Sequence, residues 1–184
     1  MKYEFNIISS PFGDIGLVWF FQGEKLKISR IFLPETETSM LEKISTSFLD
    51  VCEGSNEIVN DLSDLIVRFL NGEDIKFDFD MIDEKQATNF QLQVLKAEHM
   101  IPKTWISTYG RIAWALGKDG SARAVGNALA NNPFPIIIPC HRAVRSDGAL
   151  GGFQGGLDMK RRLLEMEGIQ FSTNNKVNMM KIYY

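Results

Sequence analysis

A chain of 184 residues, 45% hydrophobic and 23% charged, is long enough for one ordinary domain or two small ones sharing an interface, and is neither disordered nor fibrous in composition. It has no run of about eighteen apolar residues, and its opening MKYEFNIISSPFGD lacks the basic-then-apolar layout of a signal peptide, so a cytoplasmic protein with no membrane partner is expected. The formal charge of −3 hides an asymmetry: residues 1–87 sum to −9 and residues 88–184 to +6. An acidic part that avoids polyanions and a basic part that can meet them would give this pattern, although on its own it fits an unevenly charged, solvated surface better.

The first half reads as α+β. KYEFNII and IGLVWFF are strand-like runs separated by the turn signal Pro11-Phe12-Gly13-Asp14. After a second turn at Gln22-Gly23-Glu24, LKISRIFL completes a three-stranded meander, with Leu26 and Ile28 and, after a shift, Ile31 and Leu33 on one face. Leu41, Ile44, Phe48 and Val51 fall at helical spacing, as do Leu62, Leu65, Ile66, Phe69 and Leu70, which Asn71-Gly72 stops. The alternation in IKFDFDM predicts a further strand.

Near residue 85 the character changes. Thr88 can cap a helix from about Phe90 to Met100, ended by Pro102. YGRIAWALG and SARAVGNALANN are two short helical segments joined by Gly117-Lys118-Asp119-Gly120, with Ser121 a plausible cap for the second. Such a pair matches a helix-turn-helix, although many helical pairs of this kind do not bind DNA. Three prolines in Pro133-Phe134-Pro135-Ile136-Ile137-Ile138-Pro139 exclude a helix and predict an extended, rigid path into Cys140-His141-Arg142. A Gly-rich loop spans Gly148 to Gly156, and a last helix carries Met159, Lys160, Leu163, Met166 and Glu167. From Ser172 the tail is polar and is expected to be poorly ordered.

Two cysteines make no disulfide framework, and two histidines, His99 and His141, offer no zinc site of ordinary spacing, so no metal is expected. Cysteine reacts as the thiolate and needs a base or positive charge nearby. Cys140 has His141 and Arg142 beside it, yet composition alone leaves it equally well explained as a small buried hydrophobe. Cys52 lies next to Val51 on the apolar side of a predicted helix, between Asp50 and Glu53, and reads as inert. In an extended backbone Cys140 and His141 would point to opposite sides, which favours a water-bridged relay over a direct ion pair. A carboxylate to orient His141 would have to come from Glu165 or Glu167, for which a solvated helix glutamate is the simpler reading.

Ile138-Pro139-Cys140-His141-Arg142 resembles the active-site signature of the O6-alkylguanine-DNA alkyltransferases, the methylated-DNA–protein-cysteine methyltransferases. The likeness runs from Phe90 through Ile101-Pro102-Lys103, Ser107-Thr108-Tyr109-Gly110, Ala122-Arg123-Ala124-Val125-Gly126, Asn131-Asn132-Pro133 and Gly151-Gly152-Phe153-Gln154-Gly155-Gly156-Leu157 to Glu167-Gly168. It implies an N-terminal ribonuclease-H-like α/β domain over 1–87, a C-terminal helical domain with a winged-helix-like helix-turn-helix over 88–171, and a tail over 172–184. The implied activity is direct-reversal repair without cofactor, in which a monomer bound to the minor groove of double-stranded DNA carrying O6-alkylguanine takes the alkyl group irreversibly onto Cys140, once per molecule. His141 would be the base, through water, Glu167 its orienting carboxylate, Tyr109 the proton donor to the leaving guanine, and Asn132 a tie between the helix pair and the active-site segment. Arg123 would fill the gap left by the flipped nucleotide, on a helix kept slim by Ala122, Ala124 and Gly126. Ala143, Gln154 and Phe153 would border the base, with Lys160 behind them.

The sequence departs from the family at Leu95, Thr104, Ala143 and Phe153, and Phe153 lacks the hydroxyl of a common tyrosine. Alkyltransferase-like proteins that only flag lesions lack the cysteine. A transcription regulator would need a partner or dimerisation segment, and a cysteine hydrolase would need an oxyanion hole and a less constrained cysteine–histidine pair.

Overall fold

The computed structural model describes residues 2–35 and 37–184 as a mixed α+β chain in two compact units, Met1–Gln86 with Pro133–Ile137, and Ala87–Asn132 with Ile138–Tyr184.

In the first unit the hydrophobic runs form β1 (Glu4–Ile8), β2 (Ile15–Gln22) and β3 (Lys25–Phe32), the antiparallel meander that the alternation predicts. Six successive residues of β2, Ile15 to Phe20, are buried, so both faces of this strand are covered. The helix α1 (Met40–Ser47) lies on the face of Phe5 and Val18, and Gly16 makes the approach possible: a Cβ there would stand 2.7 Å from Met40 Sδ. On the opposite face Asn6 Nδ2 donates to Ser63 Oγ of α2 (Glu57–Leu70) at 3.0 Å. Asn56 Oδ1 caps α2, and Asn71 ends it. The shift in β3 falls at Ser29, since Val18 pairs with Arg30 and Trp19 with Ile28.

Two expectations fail here. Residues 75–81 form no strand: Asp78 Oδ1 accepts the Asp80 N–H and nucleates a 3-10 turn over Phe79–Met81, because aspartates favour such local capping over a ladder. The fourth strand is instead β4 (Cys52–Glu53), parallel to β1. The first helix stops at Ser47, and Asp50 takes a left-handed φ of 61°, so Cys52 lies exposed on this short strand and not on a helix.

The second unit holds α3 (Asn89–His99), β5 (Ser107–Thr108), α4 (Tyr109–Ala115), α5 (Ala122–Ala130), a 3-10 turn at Cys140–Arg142, β6 (Ala143–Val144) and α6 (Gly156–Met166). Thr88 Oγ1 caps α3 through the Gln91 N–H at 3.2 Å, whereas Ser121 makes no side-chain cap to α5. Gln91 Nε2 donates to the Ala128 and Asn131 carbonyls, pinning α3 to the end of α5. β5 and β6 pair in parallel, which fixes the chain on both sides of the site.

The tail is not loose. Val177 is buried with Ile106, Val144, Leu164 and Ile169, and Met179 and Ile182 pack on the same cluster. Tyr183 N–H donates to the Ile106 carbonyl, Ser107 Oγ to the Tyr183 carbonyl, and Tyr184 Oη to the Ala97 carbonyl. The widely spaced apolar residues of this segment act one at a time, which is why no stripe announces them. Among the described residues, no helix is long and apolar enough to cross a membrane.

Candidate active site

The path into Cys140 is turned, not extended. Ile136 and Ile137 form a turn between the prolines, with Ile136 at φ 78°, a left-handed conformation that costs a β-branched residue on the order of 1–3 kcal/mol. Pro139, at φ −78° and ψ 59°, then makes an inverse γ-turn closed by Cys140 N–H to the Ile138 carbonyl at 2.7 Å. Proline already has the required φ. Asn132 Nδ2 donates to the same carbonyl at 3.2 Å. Arg142 N–H donates to the Pro139 carbonyl at 2.9 Å, so Cys140, His141 and Arg142 share one 3-10 turn and do not alternate along a strand.

All three side chains are buried, as is Glu167 at the end of α6. His141 Nε2 lies 3.0 Å from Glu167 Oε1. Burial pushes His141 down, towards its neutral form, against the pull of Glu167. Burial alone would raise the Glu167 carboxyl, but His141 and Arg142 hold it down at about 2. A carboxylate only accepts, so Nε2 carries the proton and Nδ1 is the basic nitrogen of the ring. Arg142 does not serve Cys140 as the sequence suggests: Nε and Nη2 bind Glu167 at 2.9 and 2.6 Å, and Nη1 donates to the Ile101 carbonyl at 2.6 Å. The Cys140 thiol is pushed up to about 11, mainly by burial, with Asn132 and Lys160 opposing and Glu98 reinforcing the rise. Such a thiol is protonated at rest and needs a base in the same step that uses it.

Residues 89–169 match the family model described as 6-O-methylguanine DNA methyltransferase, DNA binding domain. The methylated-DNA–protein-cysteine methyltransferase of Methanothermobacter thermautotrophicus is 39% identical over 159 residues, which are 86% of this chain and 82% of that protein. The chain belongs to this family. The protein of the same name from Haemophilus influenzae is 38% identical, over 64% of this chain and 67% of its own. Among solved structures, the O6-methylguanine methyltransferase of Mycobacterium tuberculosis superposes with a TM-score of 0.73 at 32% identity, covering 90% of this chain and 93% of that one. A structure of the same organism's enzyme with DNA gives a TM-score of 0.70, again at 32% identity, over 91% and 92% of the two chains. The chain is accordingly a DNA-repair methyltransferase whose alkyl acceptor is a cysteine of the protein itself.

A second group of the residues singled out in the sequence lies on the side of α4 and α5. A cavity of about 710 Å³ is lined by Tyr109 and Gly110 at the start of α4, by Ala122, Arg123, Gly126, Asn127 and Ala130 of α5, and by Arg145, Ser146 and Gly152. Arg123 and Arg145 are thus on one cavity with the Tyr109 phenol. Burial pushes that phenol up to about 12, with Glu98 and Cys140 reinforcing the rise and Arg145 opposing it. Ala124 is exposed and does not line the cavity. Gly126 faces the Tyr109 ring, with space for a Cβ at 3.9 Å. Gln154 is exposed, and its side chain is spent on the Ala130 and Asn132 carbonyls at 2.9 and 2.8 Å. The Phe153 ring stands edge-on to His141 at 6.4 Å. Ala143 is buried in β6, and its carbonyl accepts from Lys160 Nζ at 2.7 Å. Among the described residues no group of three or more His, Cys, Asp or Glu side chains is placed to hold a metal.

Three residues escaped the sequence reading. Arg145 could have been found from its charge, three positions past Arg142. Glu98 had no signal beyond a charge on a helix. Gly151 was only one glycine among several, yet its φ is 69° and a Cβ on it would stand 2.4 Å from Tyr109 Oη. Gly151→Ala is therefore expected to displace the phenol and to strain the loop. On the reading of Tyr109 as proton donor, repair should fall at least about tenfold, and stability should fall by about 1 kcal/mol. Single-turnover repair and thermal melting check both; an unchanged repair rate would show that Tyr109 is not held by this contact.

Proposed function

We propose that Cys140 is the acceptor atom and that O6-alkylguanine, flipped out of a duplex, is the substrate base. The carrying observation is the Cys140–Arg142 turn, which holds in successive residues a buried thiol pushed towards its protonated form and an imidazole pushed towards its neutral form, with Nε2 of that ring on Glu167. His141 takes the thiol proton through water, Sγ attacks the alkyl carbon, and the carbon–O6 bond breaks with its electron pair on the guanine. Tyr109, on the wall of the cavity, supplies a proton to that leaving base. Asn132 holds the γ-turn and lowers the thiol. The thioether has no route back, so each molecule acts once.

Base flipping follows from the burial of O6 in a stacked duplex. Arg123 is the side chain suited to occupy the vacated position. With the small residues Ala122, Ala124 and Gly126, α5 suits the minor groove, and α4 and α5 then serve as a helix-turn-helix within a winged-helix-like domain over 88–171. Ala143, Gln154 and Phe153 border the base, the first two through backbone groups, and Lys160 supports them from behind. Residues 1–87 are read as a ribonuclease-H-like domain, 172–184 as a tail, and the protein as a cytoplasmic monomer.

Incubation with a duplex containing O6-methylguanine should add the mass of one methyl group to the peptide holding Cys140, with a plateau at one lesion per protein. A persistent lesion with unmodified Cys140, or repair beyond that stoichiometry, would refute the reading.

A further inference from the structure

Glu98, in the last turn of α3, is fully buried, and neither carboxyl oxygen has a hydrogen-bond partner. The Ala143 N–H is near enough to favour the charged form slightly, but it closes no bond of ordinary geometry. Buried carboxyls without partners are costly, and this one lies where α3 packs on the Cys140–Arg142 turn. The groups that feel it are Lys160 from α6, Arg142 and Cys140 from the turn, Tyr109 from α4 and Tyr184 from the tail.

Two of these are cations, and they differ. Arg142 is neutralised by Glu167 through two hydrogen bonds. Lys160, equally buried, gives its protons only to carbonyls, those of Ala143 at 2.7 Å, Leu150 at 2.6 Å and Gly152 at 3.3 Å. Three acceptors around one nitrogen are the arrangement of an ammonium, not an amine. Its charge has Glu98 as its available internal counter-charge. The ammonium also lies 5.9 Å from the centre of the Tyr109 ring.

Taking Cys140 as the acceptor proposed above, we infer that Glu98 and Lys160 form a titrating pair behind it that sets how readily its sulfur ionises. While Glu98 is protonated, the Lys160 ammonium is an uncancelled positive charge that favours the thiolate. When Glu98 releases its proton to solvent, the carboxylate cancels that charge and the thiolate loses its support. The direction agrees with the effects on the thiol itself, which Lys160 lowers and Glu98 raises. Burial pushes the Glu98 carboxyl up to about 8, whereas the fall that burial imposes on Lys160 is opposed by its three carbonyl acceptors, which hold the ammonium, so Glu98 is the member of the pair that titrates. The exchange therefore falls just above neutral pH. Glu98 is a positioning residue in this scheme, acting on Cys140 through charge alone.

The test is the pH profile of Cys140 reactivity in the full chain, from pH 6 to about pH 9.5, for wild type, Glu98→Gln and Glu98→Leu. One arm measures single-turnover repair of an O6-methylguanine duplex. The other measures iodoacetamide labelling of Cys140 in a Cys52→Ser background, which needs no DNA. In the wild type the rise with pH should flatten above about pH 8. Both neutral variants should continue to rise, so that variant and wild type match near pH 7 and differ by roughly tenfold at pH 9, the scale of one nearby charge at an effective dielectric of about 20. The Leu variant needs no polar partner and keeps the test open if Gln folds poorly. Profiles that stay parallel in the labelling arm would overturn the inference, since a purely structural role scales every pH alike. Flattening in the labelling arm without any methyl transfer from DNA would instead defeat the acceptor reading and leave the titrating pair standing.

Discussion

Cys140→Ser is expected to reduce alkyl transfer below detection while leaving duplex affinity within about twofold, because binding comes from phosphate and groove contacts and not from the sulfur. Serine replaces one atom and keeps the Cys140–Arg142 turn, whose hydrogen bonds are all made by backbone groups and neighbours. What it removes, on the proposed mechanism, is a nucleophile that a neutral imidazole deprotonates through water. Fluorescence anisotropy with a labelled duplex and a parallel repair assay separate the two quantities. Residual transfer in the variant would point to Cys52. That residue is the more exposed thiol and should be the first to meet a general thiol reagent. Exposure and reactivity towards DNA are thus expected to run in opposite order, since Cys140 is buried with its thiol pushed up to about 11. A cysteine chosen for general reactivity would show the reverse.

Where periodicity extended over several turns or pairs, the sequence could be read directly. The meander of β1 to β3, including the shift at Ser29, and the helices α2, α3 and α6 follow from the spacing of their apolar residues. Short features could not be read this way. β4 has two residues, too few for any alternation, and the segment at 75–81 alternates without pairing because Asp78 offers its backbone a local partner. The tail is held by single residues such as Val177 and Ile182, each using a contact made far away in the chain.

The site shows the same division. Cys140, His141 and Glu167 stand in strong motifs, yet the turn that joins Cys140 to His141 does not follow from those motifs. Prolines exclude a helix, but they suit a γ-turn as well as an extended path, and only the Ile138 carbonyl, taken by both Cys140 and Asn132, decides between these. Arg142 looked like a charge for the thiol and is bound to Glu167. Glu98 had nothing in its local pattern to distinguish it from a solvated glutamate, since its burial arises on a helix packed against α4, α5 and the Cys140–Arg142 turn, all distant in the chain. Chemistry that depends on such long-range neighbours is invisible in any local window of sequence.

Glu167→Gln should be the most damaging single change to stability, at about 3–5 kcal/mol near neutral pH, because it leaves the Arg142 guanidinium buried without a counter-charge. The pH dependence gives the expectation a sign. The Glu167 carboxyl is held near 2 in the folded chain against an ordinary value of 4.5, so its contribution is complete above that ordinary value and fades as the pH falls towards 2. Wild type and variant should therefore differ most at neutral pH and converge in acid, which urea titrations at several pH values will show. A difference that stays constant down to pH 3 would mean that the ion pair is not the source of the loss. On the proposed mechanism repair should be lost as well, since a glutamine amide, which can donate as readily as accept, does not fix the His141 proton on Nε2 and brings no charge to stabilise an imidazolium. The paired change Arg142→Met with Glu167→Leu separates the two effects. Removing both charges together should recover much of the stability, as apolar replacements of buried pairs do, while repair stays absent. Recovery of repair along with stability would show that Glu167 serves the fold alone and that His141 needs no carboxylate to act as a base.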